Sequence, residues 1–242
     1  MLVFILSSIV GVFPTIILTE GNAPKKIIKE THSIPPFDAV KLVGIGNIFI
    51  TQSDKQNFTI EAEDKILPLI QVSVTDNVLT IEPKATKDNP IEEGTKINYY
   101  LNIKDLKSVD LSGTTGIFIP DGLTTNELKL TIDSDSDSNI KLNVKKLITK
   151  ISGGGKMVAE GTAEDQTVSI SGATTFTGQK LVGKSGTFTI KGAGAITTGV
   201  TDTLGIEISG LGEVKYCGKP TITKKVSGTG AISPLPAGEC AK

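Results

Sequence analysis

From residue 128 onward, apolar side chains fall at every second position in short runs: Leu128-Lys129-Leu130-Thr131-Ile132, Val168-Ser169-Ile170, Phe188-Thr189-Ile190 and Ile206-Glu207-Ile208. Successive side chains of an extended chain point to opposite faces, so each run predicts a strand with one buried and one wet face. The runs travel with a recurring phrase: an aliphatic residue, one residue, glycine, three residues, then another apolar residue. It reads Leu111-Ser112-Gly113 to Ile117, Ile151-Ser152-Gly153 to Met157, and Ile170-Ser171-Gly172 to Phe176. It continues as Ile190-Lys191-Gly192 to Ile196, Ile208-Ser209-Gly210 to Val214, and Val226-Ser227-Gly228 to Ile232. Residues 132–140, IDSDSDSNI, fill the same slot without glycine, so the steps from Leu111 run 21, 19, 19, 20, 18 and 18 residues.

A period near nineteen holds three strands of three to five residues with sharp corners, too little for a strand, a helix and a crossover. The predicted fold is therefore all-β: a single-stranded parallel β-helix, or β-solenoid, of about nineteen-residue coils. Each apolar position stacks on its equivalent one coil away at about 4.8 Å, so six steps span about 29 Å. The phrase glycines Gly113, Gly153, Gly172, Gly192, Gly210 and Gly228, with Gly44 from one earlier match, are expected at corners needing positive φ. The serine beside most of them is expected to form a ladder along an outer edge. Before the regular coils lies a β-rich amino-terminal part, with strands expected at 47–51, 58–61, 70–74, 78–82 and 97–103. The charged stretch 83–95 reads as an exposed loop or coil insertion. The expected organisation is a leader at 1–23, a linker at 24–36 and a β domain at 37–236, divided into 37–104 and 105–236.

Residues 2–18, LVFILSSIVGVFPTIIL, are uncharged and of the length of a signal-peptide core or a marginal membrane span. No Lys or Arg precedes the run, and Pro24 follows the cleavage-like Gly21-Asn22-Ala23. An uncleaved tether through 2–18 is the alternative, and a buried strand pair around Pro14 a third reading. No cysteine near the end of the run offers a lipid anchor. Cys217 and Cys240 are the only cysteines; they predict a disulfide in an oxidising compartment, with two buried thiols as the alternative.

Charge and composition narrow the function. The 25 cations, all lysine, and 26 carboxylates leave a net charge of -1, which disfavours nucleic acid as a partner. Without arginine the chain lacks the planar fork that clamps phosphates and carboxylates. Tryptophan is absent and aromatic residues make up 5% of the chain, leaving little to stack on bases.

Residues 178–185, GQKLVGKS, match the P-loop pattern letter for letter, but the alternating GTFTI after them predicts a strand where a phosphate-binding loop needs a helix. Asp133, Asp135 and Asp137 copy the opening of a calcium loop. Ser138 stands where its glycine belongs and Val144 where its closing glutamate belongs, so a solvated acidic corner is the reading and calcium the alternative. His32, the single histidine, lies in the expected linker, away from any nucleophile it would serve as base. Glu92 with Glu93 and Glu164 with Asp165 read as solubilising loop groups rather than a glycosidase pair. No cofactor is expected.

The stretch FDAVKLVGIGNIFITQ at 37–52, VLTIE at 78–82 and the later Ser-Gly phrases together resemble the auto-transporter adhesin head domain family, the GIN domain. The resemblance runs from Phe37 to Ser233. It implies an exported protein of the periplasm, outer membrane or cell surface of a bacterium, and it carries no catalytic motif to transfer. The function expected is a non-catalytic binding or adhesion module whose partner is a surface ligand, a glycan or an envelope protein. The alternative is an envelope assembly protein, a homo-oligomer included, acting through exposed strand edges. A polysaccharide-cleaving enzyme is a third reading, by analogy of fold alone.

Overall fold

A computed structural model of the chain describes residues 26–84, 90–92 and 94–240. The apolar run 2–18, the cleavage-like site at 21–23 and Glu93 lie outside the described residues. Fourteen strands form one continuous sheet wound into a solenoid. The amino-terminal strands are β1 (Ile27–His32), β2 (Ala39–Gln52), β3 (Asn57–Glu63), β4 (Ile70–Thr75), β5 (Val78–Pro83) and β6 (Asn98–Ile103). The coils comprise β7 (Ser108–Ser134), β8 (Ser138–Ile151), β9 (Lys156–Ile170), β10 (Thr175–Ile190), β11 (Ala193–Ile208), β12 (Leu211–Cys217), β13 (Thr221–Val226) and β14 (Thr229–Pro234).

Successive coils pair in parallel, and the register follows the sequence period. Ile132, Ile151, Ile170, Ile190, Ile208 and Val226 form one column through consecutive pairings. The five isoleucines are buried, each contributing about 1.5–3 kcal/mol of transfer free energy. A second column, Leu130, Thr149, Val168, Phe188, Ile206 and Lys224, shows where the repeat stops, since a lysine occupies the inward position of the last coil. A third carries a polar insertion. Gln166 is buried, donates to the Leu181 carbonyl at 3.0 Å and accepts from Thr198 Oγ1 at 3.2 Å. Gly186 stands in register with Gln166 and brings no side chain between them.

Two expectations change. A coil is not three short strands: β8 to β11 each run 14–16 residues, and β7 runs 27. The strands carry on round most corners through shifts of register, as between Ile119 and Leu123 or Thr177 and Lys180, and break chiefly at the Ser-Gly phrase. A bulge bends a strand while keeping most of its ladder bonds, and a glycine can serve at the corner itself, as Gly122 does at φ of 92°.

The glycines are the second change. Gly44 and Gly113 have φ of 106° and 100°, but the other five phrase glycines are not at positive φ. What they require is space. A Cβ on Gly153 would strike the Ser134 carbonyl oxygen, one on Gly172 that of Gly153, one on Gly192 that of Gly172, and so on through Gly210 and Gly228. Glycine stacks on glycine because the chain passes closest to the coil beneath it there. In the coil without glycine, Ser134 fills the slot and turns inward, its hydroxyl accepting from Thr115 N at 2.9 Å and donating to Thr115 O at 2.6 Å.

At the amino-terminal end, β2 pairs in parallel with β7 on one edge and with β5 and β6 on the other. Antiparallel strands then finish the sheet: β4 on β5, β3 on β6 and β1 on β3. Asp76 and Asn77, at φ of 50° and 62°, make the two-residue turn between β4 and β5, residue types that tolerate the left-handed region. Residues 27–32, read above as linker, are therefore a strand whose partner is β3. At the other end Cys217 and Cys240 form a disulfide, with Cα atoms 5.7 Å apart, that ties the tail to β12.

Candidate functional site

Alternation that sends Leu123, Leu142 and Leu181 inward sends their neighbours out. Thr124, Asn143, Thr162 and Val182 stand in register on consecutive coils, all exposed. They line an open groove along the solenoid of about 710 Å³, with Asp105, Asn126, Glu164, Lys184 and Thr201 on its walls. A second hollow of about 700 Å³ shares Asp105, Thr125 and Asn126 with it and reaches Phe37, Asp38 and Asn77 at the amino-terminal coils. The two adjoin at Asp105, Thr125 and Asn126.

The side chains of this flank are held in place. Thr162 Oγ1 donates to Asn143 Oδ1 at 2.7 Å. Gln52 anchors the upper end, accepting from Thr124 N at 2.9 Å and donating to the carbonyls of Thr124 at 2.8 Å and Lys104 at 2.9 Å. Several charges of this flank are paired: Lys107 with Asp38 at 2.5 Å, Lys146 with Glu127 at 3.2 Å and Lys184 with Glu164 at 3.4 Å. The hydrogen bond and charge of Asp38 raise the pKa of Lys107.

The residues singled out in the sequence do not converge on this groove as a reactive centre. Asp133 accepts from Ser152 Oγ at 2.9 Å, Asp135 from Gly154 N at 2.7 Å and Asp137 from Lys156 N at 2.9 Å, so each carboxylate serves the next coil. Among the described residues no three His, Cys, Asp or Glu side chains cluster as metal ligands. The P-loop-like segment 178–185 lies within β10 across a bulged corner, and no helix follows. There Lys184 pairs with Glu164 and Ser185 donates to Asp165, so the adjacent acids Glu164 and Asp165 have separate partners. The His32 ring packs 5.6 Å from that of Phe58, with Nε2 3.5 Å from Glu30. Glu92 is exposed.

One surface feature escaped the sequence reading. Phe49 stacks between Tyr100 and Phe118 on the outer face, with centroids 5.3 and 5.1 Å apart. Tyr100 donates to Glu61 at 2.8 Å, and Lys29 lies 3.1 Å from Glu61 and 4.9 Å from the Tyr100 ring centre. The Tyr100 hydrogen bond, then Lys29, holds the Glu61 carboxyl below the usual range, while burial, then Glu61, raises Tyr100. Its signal was present: Ile48-Phe49-Ile50 and Ile117-Phe118-Ile119 are unbroken apolar runs in an otherwise alternating chain.

These features define an all-β parallel solenoid with a side-chain-lined groove on one flank. The chain belongs to the family described as "Putative auto-transporter adhesin, head GIN domain", which matches residues 36–220. Among solved structures it is similar to a "putative adhesin" from Bacteroides fragilis NCTC 9343, at 28% identity and a TM-score of 0.83, covering 87% of this chain and 98% of that one. A second "putative adhesin", from Parabacteroides distasonis ATCC 8503, shares the fold at 22% identity and a TM-score of 0.69, covering 88% and 98%. A "putative lipid binding protein" from the same strain does so at 18% identity and a TM-score of 0.65, with the same coverage. No curated protein matches the sequence.

Proposed function

We propose that this chain is an exported, non-catalytic binding module of the bacterial envelope or surface, holding its ligand on the outside of a rigid solenoid. The observation that carries the reading is the flank column Thr124, Asn143, Thr162 and Val182, fixed from behind by parallel ladders and exposed in front. Adhesion is the role the family's name suggests. The Cys217–Cys240 disulfide suits the oxidising side of a membrane. The histidine and the adjacent acids are engaged in packing and surface pairs, which favours binding over turnover.

Fractionation of native cells, with intact mass measured before and after reduction, tests the location. A chain found in the periplasm, outer membrane or surface fraction with the disulfide intact supports the reading, whether residues 1–23 are removed or kept as a tether. A full-length, reduced, cytosolic chain overturns it.

A further inference from the structure

Resting on that reading, we propose that the flank groove is a binding site for an extended, uncharged glycan chain lying along the solenoid axis. The groove offers a repeat, not a pocket. Its polar column advances one coil at a time, about 4.8 Å per step, and from Gln52 to Thr201 five steps span about 24 Å. A linear polymer can meet the same kind of contact at each step, whereas one small molecule would use a fraction of the length.

The chemistry of the column selects the polymer. Threonine hydroxyls both donate and accept, and the amide group of the exposed Asn143 can donate, which matches a ligand covered in hydroxyl groups. Val182, 39% exposed in the same column, supplies an apolar contact for the C–H face of a sugar ring. The groove is lined by two carboxylates, Asp105 and Glu164, and two lysines, Lys145 and Lys184, the latter paired with Glu164, so a polyphosphate or polyuronate would meet no net positive charge and no arginine. Threonine is β-branched and Asn143 is already hydrogen-bonded, so ordering them on binding costs little entropy.

A peptide ligand is less well served. Strand addition needs free backbone N–H and C=O groups, and Asn143 and Thr162, at the centre of the column, are in ladder register with the coils on either side. The aromatic stripe of Tyr100, Phe49 and Phe118 is a weaker glycan site, because its ring faces stack on one another and present edges.

The test uses the full chain in native affinity electrophoresis through gels containing dextran, mannan, xylan or β-1,3-glucan, with polygalacturonate and heparin as charged polymers. Retardation by at least one neutral polymer, little changed by added salt, is expected. The Asn143→Ala/Thr162→Ala variant is expected to weaken it at least tenfold, and Thr162→Arg to abolish it. Thr189→Arg, on a different outward column, is expected to leave it intact. Circular dichroism confirms that each variant folds. Retardation only by the charged polymers, none by any neutral polymer, or neutral binding indifferent to the groove variants overturns the proposal.

Beads coated with the same proteins and offered to intact cells separate this proposal from the broader reading. Adherence lost with the groove variants and with periodate oxidation of the target cells supports the glycan site. Adherence that survives both, or is lost when the target cells are treated with protease, overturns the site and leaves the binding module standing. No adherence and no polymer binding defeats both.

Discussion

Replacing Gly172 with alanine tests whether the glycine stack is a requirement of space. The new Cβ would fall onto the carbonyl oxygens of Gly153 and Ser152 and lie 2.7 Å from the Ser152 carbonyl carbon. None of these atoms is the free end of a side chain, so the coils must separate at that corner. Two ladder bonds flank it, Ser171 N to Ile151 O at 2.9 Å and Ala193 N to Gly172 O at 3.0 Å. Overpacking costs about 1–3 kcal/mol, and each weakened bond up to about 1 kcal/mol more. Alanine's narrower unfolded ensemble returns about 0.4–1 kcal/mol, leaving a net loss of about 3 kcal/mol.

Gly205→Ala is the matched control. Its Cβ would meet Gly186 O and Thr187 Oγ1 at 3.7 Å, an ordinary contact, and Gly205 is not at positive φ. Stabilisation by about 0.5 kcal/mol is expected. Urea unfolding followed by far-ultraviolet circular dichroism, with the slopes compared, measures both changes. Equal effects from the two substitutions, or a Gly172→Ala change below about 0.5 kcal/mol, would refute the spatial account.

The Cys217–Cys240 bond closes a loop with a sequence separation of 23, so loop-closure entropy gives it about 3 kcal/mol. The double Cys→Ala variant and reduced wild type should lose similar amounts in urea, and a loss under 1 kcal/mol counts against a constraining role. Thr149 is fully buried with no hydrogen-bond partner for its hydroxyl, so Thr149→Val is expected to stabilise by about 1 kcal/mol; a lower thermal midpoint would show that the hydroxyl is satisfied. Because its folded pKa is lowered, Glu61 contributes stability above its ordinary value of 4.5, lost as pH falls through the folded value. Glu61→Gln should flatten the acid limb of stability against pH, and an unchanged limb would reject the assignment.

How much of this was legible follows from what a column demands. Inward positions are apolar on most coils, so Ile132, Ile151, Ile170, Ile190 and Ile208 disclose fold, period and register together. Outward positions obey no such rule. Thr124, Asn143, Thr162 and Val182 are of three residue types, and only the register of the coils brings them to one hollow. The phrase glycines were visible but not their reason, because a close approach and a positive φ both select glycine. β1 was hidden because Ile27-Ile28-Lys29-Glu30-Thr31-His32 does not alternate cleanly and owes its strand to β3. The disulfide was half visible: the pair was evident, and its geometry needed the last coil in place.

The same column logic favours the flank over the ends as the surface of the proposed binding module. A solenoid terminates in unpaired backbone groups, and a free edge is a template for another strand. Here the last coil places Lys224 in register with Ile206 and Lys225 with Glu207, setting charges where a further coil would need an apolar column. Adding a second chain there would bury Lys224 without a partner, which is costly. At the other end the parallel stack gives way to short antiparallel strands, and the outermost, β1, carries Lys29 and Glu30. Both ends thus resist growth by edge pairing. What remains long, regular and open is the side of the coil, where each outward residue can change without disturbing its inward neighbours, so ligand choice can drift while the core is kept.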